Sequence, residues 1–281
     1  MNSSHRGIRT VATAALVTAL SAGAVQASAA PAESGQDSRR GTAAAPGPAG
    51  PETRPVPAPG TSEGWQQGDL RLSPNDNRTV DRFLDRARTA EKDISPRVRA
   101  AAVMSGAELK GFDHRLKSPD SLKRKVATWM KEDPGLTVNN ALSGINDSVR
   151  YTLVWPTGEY TSGVTRASGL LSAWGDDSVR WANTWSRDRG YKAVNAAWRE
   201  PGGHVYEVQF HTPESKQAQE TTHKLYEEQR LPSTPPERRE ELQAQQGEIF
   251  AAVPVPAGAV DLRAPAPRQP AEPQPVPQSA S

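Results

Sequence analysis

Proline and alanine at both ends confine any folded core of this chain to its middle. The sequence has 281 residues and 25 prolines, of which seven lie between residues 31 and 60 and eight between residues 251 and 281. Such segments contain few large apolar side chains, so they cannot bury enough surface to offset the entropy lost on ordering. We expect disordered, partly polyproline-like segments over 30–64 and 251–281. One domain is expected over 65–250, long enough to build its own hydrophobic core.

The first residues have the order of a secretory signal peptide. A basic start includes Arg6 and Arg9, a small apolar run covers residues 11–25, and Ala27-Ser28-Ala29 fits a cleavage site. A membrane anchor is the alternative, but the run is shorter than the ~20 residues that a bilayer-spanning helix needs. The pattern predicts a signal peptide over 1–29, a secreted, extracellular protein and no membrane partner.

Charge and cysteine content exclude several functional classes. Lys and Arg total 34 against 32 Asp and Glu, which gives a net charge of +2. This near-balanced charge does not indicate nucleic-acid binding. The sequence has no cysteine, which rules out disulfides, Cys-ligated zinc and thiol catalysis. The histidines lack metal-ligand spacing, and the G-x-S-x-G and Walker A patterns are absent.

The middle of the chain mixes helical and strand patterns. Apolar spacing and Ser-Pro or Thr-Pro starts predict helices over about 76–92, 95–103, 119–130, 165–174, 179–185, 213–229 and 236–249. Strands are expected over 149–155, 194–198 and 205–210, the last two as a hairpin. Some strands are joined by short loops and others are separated by helices. This order predicts an α+β (α/β) fold with a mixed β-sheet flanked by helices.

A helix start at Ser118-Pro119 is surrounded by basic and hydroxyl residues. Ser118 is expected to cap the helix, which leaves backbone N–H groups and the positive end of the helix dipole facing outward. Lys117 precedes the helix, and Ser121 and Lys125 are four residues apart and share one face. This combination predicts an anion site suited to a triphosphate. The alternative is a solvated basic helix with an ordinary cap.

Two strand segments offer carboxylates. Alternation along the strand directs Glu207 and Gln209 to the face opposite the apolar side chains, where a carboxylate suits a general base or a magnesium ligand. Asp147 and Arg150 lie at the start of another strand. Magnesium sites for nucleotides combine one or two carboxylates with substrate phosphates, so Asp147 suits such a site. The Arg150 guanidinium can pair with a phosphate or stack on a base. The alternatives are a polar outer strand face and an ordinary surface turn with an Arg–Glu pair.

A fourth pattern is the segment Gly190-Tyr191-Lys192. A tyrosine after a glycine at a loop tip can offer its ring to a nucleotide base. Alternatively, Tyr191 is a half-buried strand residue.

Together, these four segments resemble the synthetase domain of the RelA/SpoT family. Residues 115–125 are similar to the family element R-x-K-S-x-x-S-x-x-x-K, residues 206–212 to its strand E-(I/V)-Q-x-x-T, and residues 190–192 to its acceptor loop. Asp147 and Arg150 stand where the family has a magnesium-binding Asp and an ATP-binding Arg. The motifs occur in the family's order over about 100 residues. Its pattern D-x-x-G-x-R is shortened here, and Asn195 replaces the His of the acceptor loop.

The resemblance implies a nucleotidyltransferase-like synthetase domain with pyrophosphokinase (diphosphotransferase) activity. ATP would donate its β,γ-pyrophosphate to the 3′-hydroxyl of a purine nucleotide (AMP, ADP, ATP, GDP or GTP) and leave as AMP, with Mg²⁺ as cofactor. A secreted, stand-alone synthetase also resembles the extracellular ATP nucleotide 3′-pyrophosphokinases of actinomycetes. The alternative is a non-catalytic secreted module for nucleotide binding or interaction.

The resemblance also assigns roles to individual residues. Asp147 and Glu207 are implied to hold the metal and to be catalytic. ATP binding is implied for Arg115, Lys117, Ser121, Lys125 and Arg150. Acceptor binding is implied for Tyr191, Lys192, Asn195 and Gln209.

Overall fold

The computed structural model describes residues 63–229, 231 and 233–266. The predicted signal peptide lies outside these residues, as do residues 30–62 and 267–281 of the two segments predicted to be disordered. No helix within the described part of the chain is long and apolar enough to cross a bilayer.

The described residues form an α+β fold built on a mixed sheet. In chain order, the elements are β1 (Trp65–Gln67), β2 (Leu70–Leu72), α1 (Pro74–Ser105), β3 (Glu108–Lys110), α2 (Pro119–Glu132), α3 (Val138–Ser143), β4 (Arg150–Val154), α4 (Tyr160–Ala173), β5 (Asp177–Asn183), β6 (Val194–Arg199), β7 (Val205–His211), α5 (Pro213–Gln229) and α6 (Pro236–Ala251). Short 3₁₀ helices cover Phe112–His114 and Ala259–Asp261. The mixed sheet and its flanking helices confirm the fold class that the sequence predicts.

The sheet has the strand order β3-β4-β7-β6-β5, and only the β4–β7 pair is parallel. In that pair Arg150 is opposite Glu207, and Thr152 is opposite Gln209. Because side chains alternate along a strand, these four polar residues share one face of the sheet. The predicted strands and their hairpin are confirmed, and the register brings the polar residues of two distant segments together.

The opposite face of the sheet builds the main hydrophobic core. Tyr206, Val208 and Phe210 are fully buried there, as the alternation predicts. Tyr151 and Leu153 extend this face on β4, and α1 and α4 cover it. Burying a large apolar side chain stabilises a fold by about 2 kcal/mol, so this face supplies much of the stability of the domain.

Helix α1 runs without interruption through Pro96, so the predicted division into two helices at this point is wrong. Proline removes one backbone hydrogen bond, which normally ends or kinks a helix. Here the buried stripe continues in phase from Ala87 through Ile94 to Val98, and the Ser95 hydroxyl lies 2.8 Å from the Tyr151 hydroxyl. Tertiary packing on both sides of Pro96 therefore outweighs the lost hydrogen bond.

The predicted helix over 179–185 is also wrong, because residues 177–183 form the edge strand β5. Trp181 pairs with Ala196 of β6, and the Trp181 indole donates to the carbonyl of Leu262. A short segment with few apolar residues fits both the period of a helix and the period of a strand. Pairing with β6 therefore determines its structure.

The predicted disordered tail begins too early. Residues 251–266 lie along the domain, with Ala259 fully buried. The Asn183 side chain donates to the Ala259 carbonyl at 2.8 Å, and Thr161 donates to the Ala257 carbonyl at 2.7 Å. These bonds attach the segment to β5 and α4, so the domain includes this segment.

Two glycines of α4 test how tightly the core is packed. A methyl group on Gly163 would overlap the fully buried ring of Trp155, whose Nε1 donates to the Ser105 carbonyl. We expect Gly163→Ala to reduce the free energy of unfolding by about 2–3 kcal/mol. Gly169 has open space around it, so Gly169→Ala should be stabilising by about 0.5–1 kcal/mol through helix propensity. Urea denaturation of both variants checks the difference, and equal effects would contradict the described packing.

Candidate active site

The start of α2 lies directly beside the start of β4. Ser118 caps the helix: its hydroxyl accepts a bond from the Ser121 backbone N–H at 3.3 Å and donates to the Ser121 hydroxyl at 2.8 Å. The segment before the cap runs along β4, where Arg150 N–H donates to the Arg115 carbonyl and Lys117 N–H to the Ser148 carbonyl. The predicted helix start is confirmed, and these backbone bonds fix its N-terminus against the sheet.

Two lysines of this region converge on one buried carboxylate. Lys117 Nζ lies 2.9 Å from Asp147 Oδ2, and Lys125 Nζ lies 2.9 Å from Asp147 Oδ1. The Asp147 side chain is only 2% exposed. Burial alone would raise the pKa of Asp147, but the two ammonium groups outweigh it and lower the pKa to about 2. The Asp147 cluster, meaning Asp147 with Lys117 and Lys125, therefore contains a permanent carboxylate and two cations.

Lys125 of the cluster also responds to its surroundings. Burial lowers the pKa of Lys125, and the attraction of Asp147 opposes this only in part. Its ammonium group also lies 4.9 Å from the centre of the Trp129 ring. One carboxylate thus faces two cations at the positive end of a helix, which leaves a local excess of positive charge suited to a polyphosphate.

Glu207 lies on β7 next to this cluster. Gln209 Nε2 donates to Glu207 Oε1 at 2.7 Å and holds the carboxyl group in place. Burial raises the pKa of Glu207; the Arg150 cation opposes the rise, and the neighbouring negative charge of Asp147 adds to it. A carboxyl group with a raised pKa, fixed on a rigid strand, can act as a proton acceptor.

A polar cavity of about 390 Å³ opens beside Glu207, between the polar face of the sheet and α5. It is lined by Lys110, Gly111, His114, Arg150, Thr152, Gln209, Lys216, Gln219, Glu220 and His223. Three lysine or arginine side chains and one carboxylate line the cavity, and its volume is within the range of small-molecule sites. The cavity therefore suits a polar, anionic ligand.

The predicted acceptor residues lie at different places. Tyr191 is half-buried, with its hydroxyl 2.9 Å from Asn195 Oδ1 and 2.9 Å from His211 Nε2, and its ring meets Phe250 edge-on. Burial lowers the pKa of His211 to about 3, so this imidazole is neutral. The structure thus places Tyr191 in a packed network rather than at an open loop tip.

Lys192 does not join the site. Its side chain is buried, and Nζ donates to the backbone carbonyls of Trp185 and Arg187. In this position the ammonium group ties the loop after β5 to β6. The acceptor binding that the resemblance implies for Lys192 is therefore corrected, because the carbonyls of that loop bind its ammonium group.

Arg115 lies at the margin of the site. Its side chain bonds to Glu91 of α1 and rests on the ring of Phe112, so the structure places it beside the Asp147 cluster but not within it.

Two carboxylates near the start of α2 match the donor set that Mg²⁺ uses in nucleotide sites. Within residues 63–229, 231 and 233–266, no group of three or more His, Cys, Asp or Glu side chains is placed to hold a metal. Mg²⁺ bound to a nucleotide takes most of its ligands from phosphates and water, with one or two protein carboxylates. The hard oxygen atoms of Asp147 and Glu207 fit this mode of binding.

Helix α5 contributes to the cavity, which was not predicted from the sequence. Lys216, Gln219, Glu220 and His223 recur at spacings of three and four residues and form one polar stripe. That periodicity was visible in the sequence. The stripe lines a cavity because the polar face of the sheet lies opposite it. That face is established by the strand register and not by the sequence of α5.

Comparisons with known proteins give structural neighbours. No protein-family model matches the chain, and no curated protein matches it. The structure is similar to the Type VI effector Tas1 in complex with its immunity protein, at 18% sequence identity and a TM-score of 0.44, covering 66% of this chain and 97% of that chain. It is also similar to the small alarmone synthetase 1 from Bacillus subtilis bound to its product pppGpp, at 14% identity and a TM-score of 0.44. That match covers 62% of this chain and 91% of the synthetase chain. A GTP pyrophosphokinase family protein from Streptococcus pneumoniae has 14% identity and a TM-score of 0.42, covering 64% and 89%.

Removing the charge of Asp147 tests the cluster. Asp147→Asn leaves two largely buried ammonium groups without their carboxylate, and we expect the free energy of unfolding to fall by about 3 kcal/mol. Asp69→Asn is the matched control, because Asp69 bonds to Lys131 at the exposed surface and should leave the melting temperature unchanged. Calorimetry of both variants provides the measurement. An Asp147 variant as stable as the wild type would show that the lysines do not depend on this carboxylate.

Proposed function

We propose that this chain is an ATP-dependent nucleotide 3′-pyrophosphokinase that transfers the β,γ-pyrophosphate of ATP to the 3′-hydroxyl of a purine nucleotide. The observation that carries the proposal is the convergence of Lys117 and Lys125 on Asp147 at a helix N-terminus, with Glu207 on the neighbouring strand. Phosphoryl chemistry needs charge neutralisation and positioning more than covalent participation by the protein. The arrangement supplies both.

The donor ATP is assigned to the start of α2. Lys117, Lys125 and the backbone N–H groups of the first helical turn bind the β- and γ-phosphates, and the Ser121 hydroxyl contributes a further hydrogen bond. Arg150 binds phosphate or the base from the adjoining strand. These cations stabilise the charge that develops on the transferred group and on the departing AMP.

Asp147 and Glu207 would hold Mg²⁺ together with the ATP phosphates, and the ion would supply further charge neutralisation. The acid–base work belongs to Glu207. Its carboxylate accepts the proton of the acceptor 3′-hydroxyl while the 3′-oxygen forms a bond to the β-phosphorus. The bond between that phosphorus and the α,β-bridging oxygen breaks, and AMP leaves with the bridging oxygen.

The acceptor is assigned to the polar cavity beside Glu207. Gln209 is shared by the cavity lining and the Glu207 hydrogen bond, so a ligand in the cavity lies close to the proton acceptor. Asn195 pairs with Gln209 in the sheet, and Tyr191 bonds to Asn195. We assign the acceptor base to the Tyr191 side of these three residues. The acceptor nucleotide is AMP, ADP, ATP, GDP or GTP, and experiment decides among them. Secretion through the N-terminal signal remains part of the proposal.

Glu207→Gln tests the chemistry directly. The amide cannot accept the hydroxyl proton, so we expect AMP formation to fall by at least about a hundredfold, while the shape of the side chain and the fold are retained. Mass analysis of reactions containing ATP, Mg²⁺ and each candidate acceptor measures AMP and the acceptor heavier by one pyrophosphate.

Glu240→Gln is the matched control, because Glu240 is exposed on α6 and should keep wild-type turnover. Near-normal turnover in the Glu207 variant would overturn the assigned role of Glu207. ATP binding without AMP formation by the wild-type chain would favour the non-catalytic nucleotide-binding module instead.

A further inference from the structure

We propose that Glu91 of α1 is a positioning residue for ATP binding, which acts by fixing the guanidinium group of Arg115. The inference rests on the proposed function, and on the ATP binding that the resemblance implies for Arg115. Neither the motif pattern nor the start of α2 points to Glu91, which precedes Arg115 by 24 positions.

Arg115 is fixed on three sides. Its Nε donates to Glu91 Oε1, and Nη1 donates to the carbonyl of Phe112 at 3.1 Å. The guanidinium carbon lies 4.2 Å from the centre of the Phe112 ring, within the range of a cation–π contact. Because a guanidinium group has five N–H donors, these two bonds orient the group and still allow it to bind a ligand.

The Glu91 carboxylate is itself held in place by a residue of its own helix. Its side chain is only 10% exposed, and the Ser95 hydroxyl donates to the same Oε1 that binds Arg115. Ser95 lies 2.8 Å from the Tyr151 hydroxyl, which ties the pair to the centre of the sheet. Burial alone would raise the pKa of Glu91, but the bonds from Arg115 and Ser95 outweigh it and lower the pKa. Glu91 is therefore a fixed carboxylate rather than a mobile surface group.

The location of this pair connects it to the site. The Arg115 carbonyl accepts the backbone N–H of Arg150, to which the proposed function assigns donor binding. Arg115 is also two residues before Lys117 of the Asp147 cluster, at the start of α2 where the donor ATP is assigned. A guanidinium group fixed here can bind the donor nucleotide without first losing side-chain freedom, which raises affinity.

A purely structural role is the competing explanation, and α1 contains a matched example of it. Arg97 bonds to Asp176 through Nε and Nη2 at 3.1 Å, and the Asp176 side chain is fully buried. Neither residue lies next in sequence to a residue of the site. Both pairs join α1 to a later segment, but only Arg115 directly follows a cavity residue, His114, and accepts the backbone N–H of Arg150.

Glu91→Gln separates the two explanations. The amide keeps the size of the side chain but loses the charge that orients Arg115, so we expect the KM for ATP to rise roughly tenfold with kcat within about twofold of wild type. Asp176→Asn should lower the melting temperature and leave the KM for ATP unchanged. Combined with Arg115→Ala, Glu91→Gln should produce no further rise in KM, because its effect passes through Arg115.

Phe112→Leu provides a second variant that does not touch the buried carboxylate. It removes the ring under the guanidinium and should also raise the KM for ATP, by roughly threefold. An unchanged KM for ATP in an active Glu91→Gln enzyme would overturn this inference but not the proposed function. A lower KM would overturn it as well, because Glu91 would then compete with ATP for Arg115. A wild-type chain that neither binds ATP nor forms AMP would overturn the proposed function and this inference together.

Discussion

The attraction between the buried Asp147 carboxylate and the ammonium groups of Lys117 and Lys125 is the interaction on which the site depends. Removing three charged groups from water costs several kcal/mol for each ion, so the cluster persists only because its geometry is close and each carboxylate oxygen has a partner. It joins the segment before α2, the second turn of α2 and the loop before β4. A helix N-terminus is thereby held against the sheet edge with an excess of positive charge.

The parallel pairing of β4 with β7 supplies the second half of the site. It aligns Arg150 with Glu207 and turns both toward the face that α5 covers. The same alternation sends Tyr151, Tyr206 and Phe210 into the opposite core, so one pair of strands anchors the fold and presents the chemistry. Glu207 combines a rigid backbone with a raised pKa, and Gln209 restrains its carboxyl group.

Local signals in the sequence predicted much of this architecture. The Ser-Pro helix start, the strands of β4, β6 and β7 and the inward face of β7 followed from capping and periodicity, which depend on neighbouring residues. Long-range packing governed the errors: α1 continues through Pro96 because its buried stripe stays in phase, and residues 177–183 form a strand because β6 is available to pair with them. The hydrogen bonds of residues 251–266 with α4 and β5 and the Glu91–Arg115 bond involve partners far apart in sequence, which no local pattern indicates. The burial of Lys192 depends on the path of the loop before it, whose carbonyls bind the ammonium group.

We propose that this site transfers two phosphates as one unit. Phosphorus NMR of the chain incubated with ATP, Mg²⁺ and one purine acceptor at a time follows every phosphate directly. We expect AMP released from ATP and a new pyrophosphate ester on the acceptor 3′-oxygen to form in equal amounts, without newly formed ADP or inorganic phosphate. Newly formed ADP or inorganic phosphate, or unchanged ATP with every acceptor, would overturn the proposed reaction.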